Sequence, residues 1–352
     1  MTDPSTTARP PADPPVSDRP VRWGLLAAGG IARALAQAIA AVDGGEVVAV
    51  AARDGGRARA FADEFGIPRA YGSYDELMAD PEVDAVYISS THPFHRDQAL
   101  ACIEAGKHVL VEKPTTLTVR DTEEVLEAAR EAGVLAVEAM WTRCQPIVLD
   151  ALARVRGGDI GTVRSFHAAF PVPFEYDESH RLFDLDNGGG ALLDLGIYPV
   201  TLAHLLVGHP THLHVLGSRV ATGADALVSL QWMTEEGAVV QVLTDSLSHG
   251  STETIVRGTE GSLQLHGPLN NPTSFTVRRG EHEELVSGGD RRGYEHEVEE
   301  FHRCLAEGLL ESPLVPHADT VAIMTILESA RRELGVRYPQ EEEPLQTTAA
   351  VT

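Results

Sequence analysis

The sequence is poor in cysteine, poor in basic residues and without a long apolar run. Its three cysteines (Cys102, Cys144 and Cys304) have neither disulfide nor metal-ligand spacing, so we expect buried, reduced thiols and no metal site. Only 28 lysines and arginines stand against 52 acidic residues, which disfavours nucleic acid or an anionic membrane as a partner. No stretch approaches the about 20 apolar residues that a membrane-spanning helix requires.

The length and composition predict a globular protein of two domains. The chain has 352 residues, of which 43% are hydrophobic and 23% charged, and this is too long for one ordinary core. Residues 1–20 contain six prolines and no apolar core, which predicts a disordered tail rather than a signal peptide. Residues 341–352 are predicted to form a loose acidic tail. We expect a cytoplasmic protein.

Strand and helix patterns alternate over the first part of the chain. Short apolar runs predict strands at Val21–Ala27, Glu46–Ala52, Asp84–Ser89, Val109–Glu112 and Leu135–Ala139. Helical periodicity occupies the segments between them, and Ser73 with Glu76 forms a capping box. This alternation predicts an α/β Rossmann domain over residues 21–143, with a doubly wound parallel sheet.

After Trp141 the pattern changes. A helix is predicted at Pro146–Arg156, and Ala191–Leu206 is apolar almost all round, which predicts a buried helix. From His212 to Leu285, β-rich runs separated by turn residues predict a mainly antiparallel sheet. Two further helices close the chain. Residues 144–340 are therefore predicted to form an α+β domain that binds substrate.

The turn after the first strand resembles a dinucleotide-binding fingerprint. Ala27, Gly29 and Ala32 occupy its three glycine positions, and Gly29 would let the backbone approach a pyrophosphate at the helix N-terminus. Gly30 and Ile31 open the helix beside it. Because the first glycine is missing, an ordinary tight turn remains an equal interpretation of the motif alone. The strand before it and the amphipathic helix after it favour cofactor binding.

The end of the second predicted strand, Ala52-Arg53-Asp54, bears on the choice of cofactor. Arg53 is a planar, bidentate partner for the 2′-phosphate of NADP. In the alternative interpretation Arg53 is solvated and Asp54 binds the ribose hydroxyls of NAD. We expect NADP, with NAD as the alternative.

Two further strand ends carry polar residues at the same sheet edge. Ser90, His92 and His95 follow the third of the predicted strands and are predicted to lie beside the cofactor, although His95 fits a helix start equally well. Glu112 and Lys113 end the next strand, before a proline that favours extended backbone at Lys113. A lone lysine is usually a surface residue, but this position predicts a functional one.

The second part of the chain supplies candidates for the substrate site. Asp194 and Tyr198 are four residues apart, on one face of the apolar helix, where an unpaired carboxylate is unfavourable. A paired core aspartate and a packing tyrosine are the alternative. Trp141 at the domain crossing could equally pack in the core. The residues predicted to contact a polyol substrate are Trp141, Arg143, Phe170 and Arg181.

These motifs in this order resemble the glucose–fructose oxidoreductase-type family (Gfo/Idh/MocA) from Val21 to Tyr338. Within it the chain is most similar to the group of dimeric dihydrodiol dehydrogenases and NADP-dependent D-xylose dehydrogenases, which tolerates a small residue such as Ala27 in the fingerprint. The strings that carry the resemblance are VRWGLLAAGGIA (21–32), VAVAARD (48–54), AYGSYDEL (70–77), AGKHVLVEKPT (105–115), EAMWTR (138–143), GGGALLDLGIYPV (188–200) and ESPLVPHADT (311–320).

The resemblance implies an open-faced sheet in the second domain, through which the family commonly dimerises, and a nicotinamide flanked by Lys113, Asp194 and Tyr198. It implies reversible hydride transfer between a secondary alcohol of a sugar, polyol or diol and the cofactor. Tyr198 would exchange the alcohol proton, Lys113 would lower the phenol pKa, and Asp194 would orient Lys113. The alternatives are a glycoside-cleaving enzyme that oxidises its substrate transiently with NAD, and a non-catalytic NADP-binding regulator.

Overall fold

The computed structural model describes residues 19–288 and 293–341. Most of the two predicted tails, residues 1–18 and 342–352, therefore lies outside the described residues. The inner ends of these segments are bonded to the fold. Arg19 donates two hydrogen bonds, of 2.5 and 2.8 Å, to the carboxylate of Asp84, and Glu341 pairs with the buried Arg331.

The first sheet has the predicted parallel, doubly wound arrangement. Its six strands within residues 19–139 lie in the order β3-β2-β1-β4-β5-β6, and every pair is parallel. The strands are β1 (Val21–Leu26), β2 (Gly45–Ala51), β3 (Arg69–Tyr71), β4 (Ala85–Ile88), β5 (His108–Glu112) and β6 (Ala136–Ala139). Helices cover both faces, which is why strands such as β4 are apolar at each position.

Local sequence signals explain where the covering helices begin and end. The helices are α1 (Gly30–Ala41), α2 (Gly55–Phe65), α3 (Tyr74–Met78), α4 (His95–Glu104) and α5 (Val119–Ala132). The predicted cap at Ser73 is confirmed, because its side chain accepts the N–H of Glu76. Gly66 and Gly133 end α2 and α5 in the left-handed conformation that glycine adopts without strain.

The second sheet is mainly antiparallel, as predicted. Its eight strands, all within the described part of the chain, lie in the order β14-β13-β12-β11-β7-β10-β9-β8, and β7 and β10 form its one parallel pair. The strands are β7 (Val163–Pro171), β8 (His212–Arg219), β9 (Asp225–Met233), β10 (Val239–Asp245), β11 (Thr254–Gly258), β12 (Ser262–His266), β13 (Ser274–Arg279) and β14 (His282–Ser287). Helices α6 (Pro146–Arg156) and α7 (Ile197–Val207) cover one face, and the other is open.

The apolar stretch Ala191–Leu206, which was predicted to form one buried helix, contains two types of helix. Leu192–Gly196 is a π-helix that continues directly into α7. The expectation that no stretch approaches the length of a membrane-spanning helix is wrong by composition, because Leu185–Val207 is long and apolar enough, but 83% of its apolar window is buried inside the protein. A core helix passes the same test, and this stretch lies in the core.

The last two helices turn back onto the first domain. In α8 (Tyr294–Ala306), Phe301 packs on Trp23 with ring centroids 4.7 Å apart, and the indole of Trp23 donates to His302. Helix α9 (His317–Glu333) packs against α5 and α7. Between them, the carbonyl of Leu310 accepts the N–H of Ala136 in β6. The domain boundary drawn at 143 and 144 stays a prediction, because the end of the chain contacts both sheets.

Candidate active site

A cavity of about 960 Å³ lies at the carboxyl edge of the first sheet and reaches the second domain. Open α/β sheets bind ligands at this edge, where the strand order reverses. The structure brings together here most of the predicted site residues. Those that line the cavity are Gly29, Gly30, Ile31, Arg53, Ser90, His92, Glu112, Lys113, Trp141, Phe170, Arg181, Asp194 and Tyr198.

Two predicted site residues do not line this cavity. His95 is fully buried, and its two ring nitrogens each lie 3.0 Å from a backbone carbonyl, those of Pro114 and Ser90. It therefore ties the loop after β4 to the peptide after Lys113. The guanidinium of Arg143 is bound by the carboxylate of Asp319. Neither side chain lines the cavity, so the cofactor contact of His95 and the substrate contact of Arg143 stay predictions.

The first turn of α1 faces open space at one end of the cavity. Gly29 is the N-cap of α1, and no side chain caps the helix there. A Cβ atom added at Gly29 or Gly30 would meet nothing within 4 Å. Ala27 has a φ of +84°, so it adopts the conformation that the first glycine of the fingerprint would supply. The backbone thus has the shape of a phosphate-binding turn, and the N–H groups at the start of α1 suit an anion.

Two guanidinium groups line the cavity beyond the end of β2. Arg53 lies over the ring of Phe94, with 5.8 Å between its central carbon and the ring centroid. Arg57 also lines the cavity but was not predicted. Its position follows from Asp54, the N-cap of α2, whose Oδ1 atom accepts the N–H groups of Gly56 and Arg57. This cap places Arg57 in the first turn of α2.

Lys113 connects the two domains at the centre of the cavity. Its Nζ atom lies 2.7 Å from the backbone carbonyl of Asp194 and 3.1 Å from the carboxylate oxygen Oδ1 of the same residue. The same ammonium lies 4.9 Å from the centroid of the Tyr198 ring. In a π-helix the backbone hydrogen bonds shift from i+4 to i+5, and such turns are frequent at functional sites. Here the π-helical Asp194 presents both its carbonyl and its carboxylate to the lysine.

Asp194 is a buried carboxylate held between two cations. Its second oxygen, Oδ2, accepts a hydrogen bond of 3.0 Å from Arg181. Burial opposes ionisation, yet Lys113 and Arg181 hold the pKa of Asp194 well below its usual range. Burial also works against the ammonium of Lys113, but neighbouring anions, above all Asp194, raise the pKa of Lys113 above its ordinary value. Both residues are therefore ionised at neutral pH.

Tyr198 lies among aromatic side chains. The indole N–H of Trp141 donates to its hydroxyl at 3.2 Å, and the ring of Phe170 packs edge-on at 5.7 Å. Burial raises the pKa of Tyr198, and the opposing effect of Lys113 does not cancel this rise. Lys113 thus lowers the phenol pKa as expected, but desolvation raises it by more, so the net pKa lies above its ordinary value. The phenol is protonated at neutral pH.

Contributions from more distant parts of the chain complete the cavity wall. Tyr294, at the start of α8, stacks on Trp141 with ring centroids 4.4 Å apart. No sequence motif pointed to Tyr294, because it follows the second sheet in the chain and reaches the cavity only through the packing of α8.

Two further polar residues of the cavity have defined states. Glu112 accepts the hydroxyl of Tyr87 and the N–H of Lys113, which holds the lysine at the strand end. Burial lowers the pKa of His92 to about 3, so its imidazole is neutral.

A Rossmann sheet with a phosphate-binding turn, followed by a lysine, carboxylate and tyrosine at the substrate end, defines a dinucleotide-dependent oxidoreductase. Two family models match the chain. One, described as an oxidoreductase family with an NAD-binding Rossmann fold, covers residues 21–139, and the C-terminal domain model of the same family covers residues 148–264. The chain belongs to the Gfo/Idh/MocA family of NAD(P)-dependent oxidoreductases.

Curated relatives extend the similarity over most of the chain. Trans-1,2-dihydrobenzene-1,2-diol dehydrogenase of Mus musculus is 39% identical over 92% of this chain and 99% of its own length. The enzyme of the same name from Homo sapiens is 35% identical over the same shares of the two chains. Both relatives thus align across the two domains.

Solved structures share the fold. A 3-ketoreductase from Actinomadura kijaniata, in complex with NADP and TDP-benzene, is 26% identical, covers 91% of this chain and 99% of its own, and has a TM-score of 0.81. An aldose–aldose oxidoreductase from Caulobacter crescentus, complexed with glycerol, has a TM-score of 0.83 at 21% identity and covers 90% of this chain and 98% of its own. The second similarity shows the fold alone.

Proposed function

We propose that this protein is an NADP-dependent dehydrogenase that oxidises a secondary alcohol of a diol or sugar, and reduces the corresponding ketone in reverse. The observation that carries the proposal is the contact between Lys113, Asp194 and Tyr198 at the centre of the cavity. A protein that only binds a dinucleotide has no need of a buried ammonium beside a phenol. Such a pair can exchange a proton with an alcohol.

Each residue of this group has a distinct task. In reduction, the protonated Tyr198 donates its proton to the ketone oxygen; in oxidation, its phenolate takes the proton of the hydroxyl group. The ammonium of Lys113 stabilises the phenolate and can hydrogen-bond the substrate oxygen. Asp194 and Arg181 hold Lys113 in place. Bound NADP supplies the nicotinamide that accepts the hydride from the alcohol carbon or returns it to the ketone.

NADP fits the residues at the other end of the cavity. The open space in front of Gly29 and Gly30 suits a pyrophosphate. Arg53 and Arg57 are placed to bind a 2′-phosphate through charge-assisted hydrogen bonds. The oxygen Oδ1 of Asp54 already caps α2, which weakens the alternative in which Asp54 binds the ribose of NAD.

Removing both arginines should weaken NADP binding selectively. In the double variant R53A/R57A we expect the KM for NADP to rise about 10²–10⁴-fold, because each of the two lost hydrogen bonds to a charged group contributes about 1.5–3 kcal/mol. The KM for NAD should change little. Steady-state kinetics with each cofactor measures the effect, and Arg59→Ala, on the same helix, is the matched control. Equal losses with both cofactors would contradict the proposed 2′-phosphate site.

The cavity wall supports a substrate with a flat apolar side next to its hydroxyl groups. The aromatic rings of Trp141, Phe170 and Tyr294 line the cavity together with Tyr198, whose hydroxyl accepts the indole N–H of Trp141. Such faces suit either a cyclic diol or the apolar face of a sugar ring. The relatives named for a dihydrobenzene diol favour the first class, and the 3-ketoreductase favours the second.

The direct test is a screen of purified protein for the formation of NADPH. Trans-dihydrodiols, pentoses and hexoses are offered with NADP and NAD in parallel, and absorbance at 340 nm is followed. We expect NADPH to accumulate with at least one diol or sugar. If no alcohol is oxidised with either cofactor, and no corresponding ketone is reduced, the proposed function is wrong.

We also propose that the protein forms a homodimer through the open face of the second sheet, in the cytoplasm. Strand register puts Leu216, Met233 and Val239 on this face, and their exposed fractions are 75%, 50% and 42%. Apolar side chains in such a group favour an interface. The three buried, free cysteines suit a reducing compartment. A monomer by light scattering at micromolar concentration would contradict the dimer.

A further inference from the structure

The segment Val336–Glu341, after the last long helix, packs against the glycine turn that leads to Asp194. Tyr338 in this segment is 1% exposed, and its hydroxyl donates a hydrogen bond of 2.9 Å to the carbonyl of Gly189. At the rim, the side chain of Gln340 donates to the carbonyl of Asp186. The segment is thus bonded to both sides of one turn.

A buried arginine fixes the orientation of Tyr338. Arg331 in α9 is fully buried, and its Nη1 atom lies 3.0 Å from the carbonyl of Val336 and 2.6 Å from the carboxylate of Glu341. Its guanidinium lies over the Tyr338 ring, 4.6 Å from the centroid. A planar cation over an aromatic face is favourable, most of all where water is excluded. Tyr338 therefore has little freedom to leave Gly189.

The turn that Tyr338 contacts is closely packed, with no room for a side chain at Gly189. A Cβ atom added at Gly189 would lie 2.7 Å from the carbonyl oxygens of Arg181 and Asp184. Three residues further on, the N–H of Leu192 donates to the carboxylate of Asp225 at 2.6 Å. The chain is thus anchored at Gly189 and again at Leu192. The π-helix that carries Asp194 begins at the second anchor.

We propose that Tyr338 is a positioning residue for the reaction, which holds the π-helical turn so that Asp194 presents its carbonyl and carboxylate to Lys113. The inference rests on the proposed function, because Lys113 matters only if it assists proton exchange at Tyr198. Tyr338 itself lies behind the turn and touches neither cofactor nor substrate site. It acts through the backbone of Gly189 and the residues that follow.

Tyr338→Phe tests the role, since it keeps the ring on Arg331 and removes only the hydroxyl. We expect kcat to fall roughly tenfold with an unchanged KM for NADP, because small misplacements of catalytic groups reduce rate more than binding. Amide hydrogen exchange, followed by mass spectrometry, should be about tenfold faster in residues 189–196. Wild-type exchange in this segment, or a wild-type kcat, would overturn the inference.

Tyr71→Phe is the matched control, because the hydroxyl of Tyr71 donates a hydrogen bond of 3.0 Å to Asp80, on the far edge of the first sheet. It should leave kcat and exchange in residues 189–196 unchanged, and an equal loss of kcat in this control would overturn the inference. If Tyr338→Phe does not fold, Glu341→Gln replaces it, since it removes the counter-charge of Arg331, and the same two changes are expected.

The exchange measurement needs no substrate, so the two proposals fail separately. Faster exchange in residues 189–196 of Tyr338→Phe would show that Tyr338 holds the turn. If the wild-type protein nevertheless oxidises no alcohol, the proposed function is wrong, and so is the role of Tyr338 in turnover. Normal exchange in an active enzyme would overturn only the inference about Tyr338.

Discussion

Replacing Tyr198 with phenylalanine should lower kcat by about 10²–10⁴-fold, the range attributed to a positioned general acid or base. The ring would still pack on Phe170, so the cavity wall and the binding of NADP should be retained. Only the exchangeable proton is lost, together with the acceptor for the indole N–H of Trp141. Turnover is measured with the alcohol or ketone found in the screen, and cofactor binding is measured by fluorescence titration.

Tyr294→Phe is the matched control for this variant. Tyr294 lines the same cavity and stacks on Trp141, and the stacking needs only its ring. We expect its kcat to stay close to that of the wild type. A Tyr198→Phe enzyme with more than a tenth of the wild-type turnover would refute Tyr198 as the proton-exchanging group.

Replacing Lys113 with methionine should have an effect of similar size, about 10²–10³-fold on kcat. The variant loses both bonds to Asp194 and the cation beside the phenol. Since burial already raises the pKa of Tyr198 and Lys113 opposes this rise, the pKa of Tyr198 should increase further. Oxidation depends on the phenolate, so its rate should begin to rise only at a higher pH than in the wild type.

The measurement is the pH dependence of kcat for oxidation, in wild type and variant. Lys107→Met is the matched control, because the ammonium of Lys107 is also buried and donates to two backbone carbonyls, those of Asp80 and Val83, away from the cavity. It should lower the thermal stability and leave the pH profile in place. An unchanged profile in Lys113→Met would show that Lys113 does not tune the phenol.

Sequence alone predicted five of the six described strands of the first sheet, because buried parallel strands and their helices have distinct periodicities, but it missed the three-residue strand β3. It also placed Lys113 at the correct edge, since the carboxyl ends of parallel strands meet there. The pairing of Lys113 with Tyr198 came from the family resemblance, because no local pattern determines contacts across two domains. His95, predicted beside the cofactor, and Arg143, predicted beside the substrate, do not line the cavity, since a polar residue type does not reveal that a carbonyl or carboxylate already binds it.

Other features depend on packing that a sequence does not display. The apolar run of α7 predicted a helix but not the π-helical turn at Asp194, where Asp225 accepts the N–H of Leu192 and Lys113 donates to the carbonyl of Asp194. The pKa of Tyr198 was expected to fall beside a lysine. Its direction depends on how completely the phenol is buried, and that is known only once Trp141 and Phe170 are in place.

The hydrogen bond from Ala136 to Leu310 has a consequence for how the chain is made. Strand β6 is one of the two outer strands of the first sheet, and the N–H and carbonyl of Ala136 in it are bonded by Leu310 and His317, near the end of the chain. A bare edge strand is a template for pairing with other chains. A ribosome-bound chain can form this sheet long before residue 310 has been synthesised. We therefore expect nascent chains to expose unpaired backbone groups of β6 that are hydrogen-bonded in the finished protein.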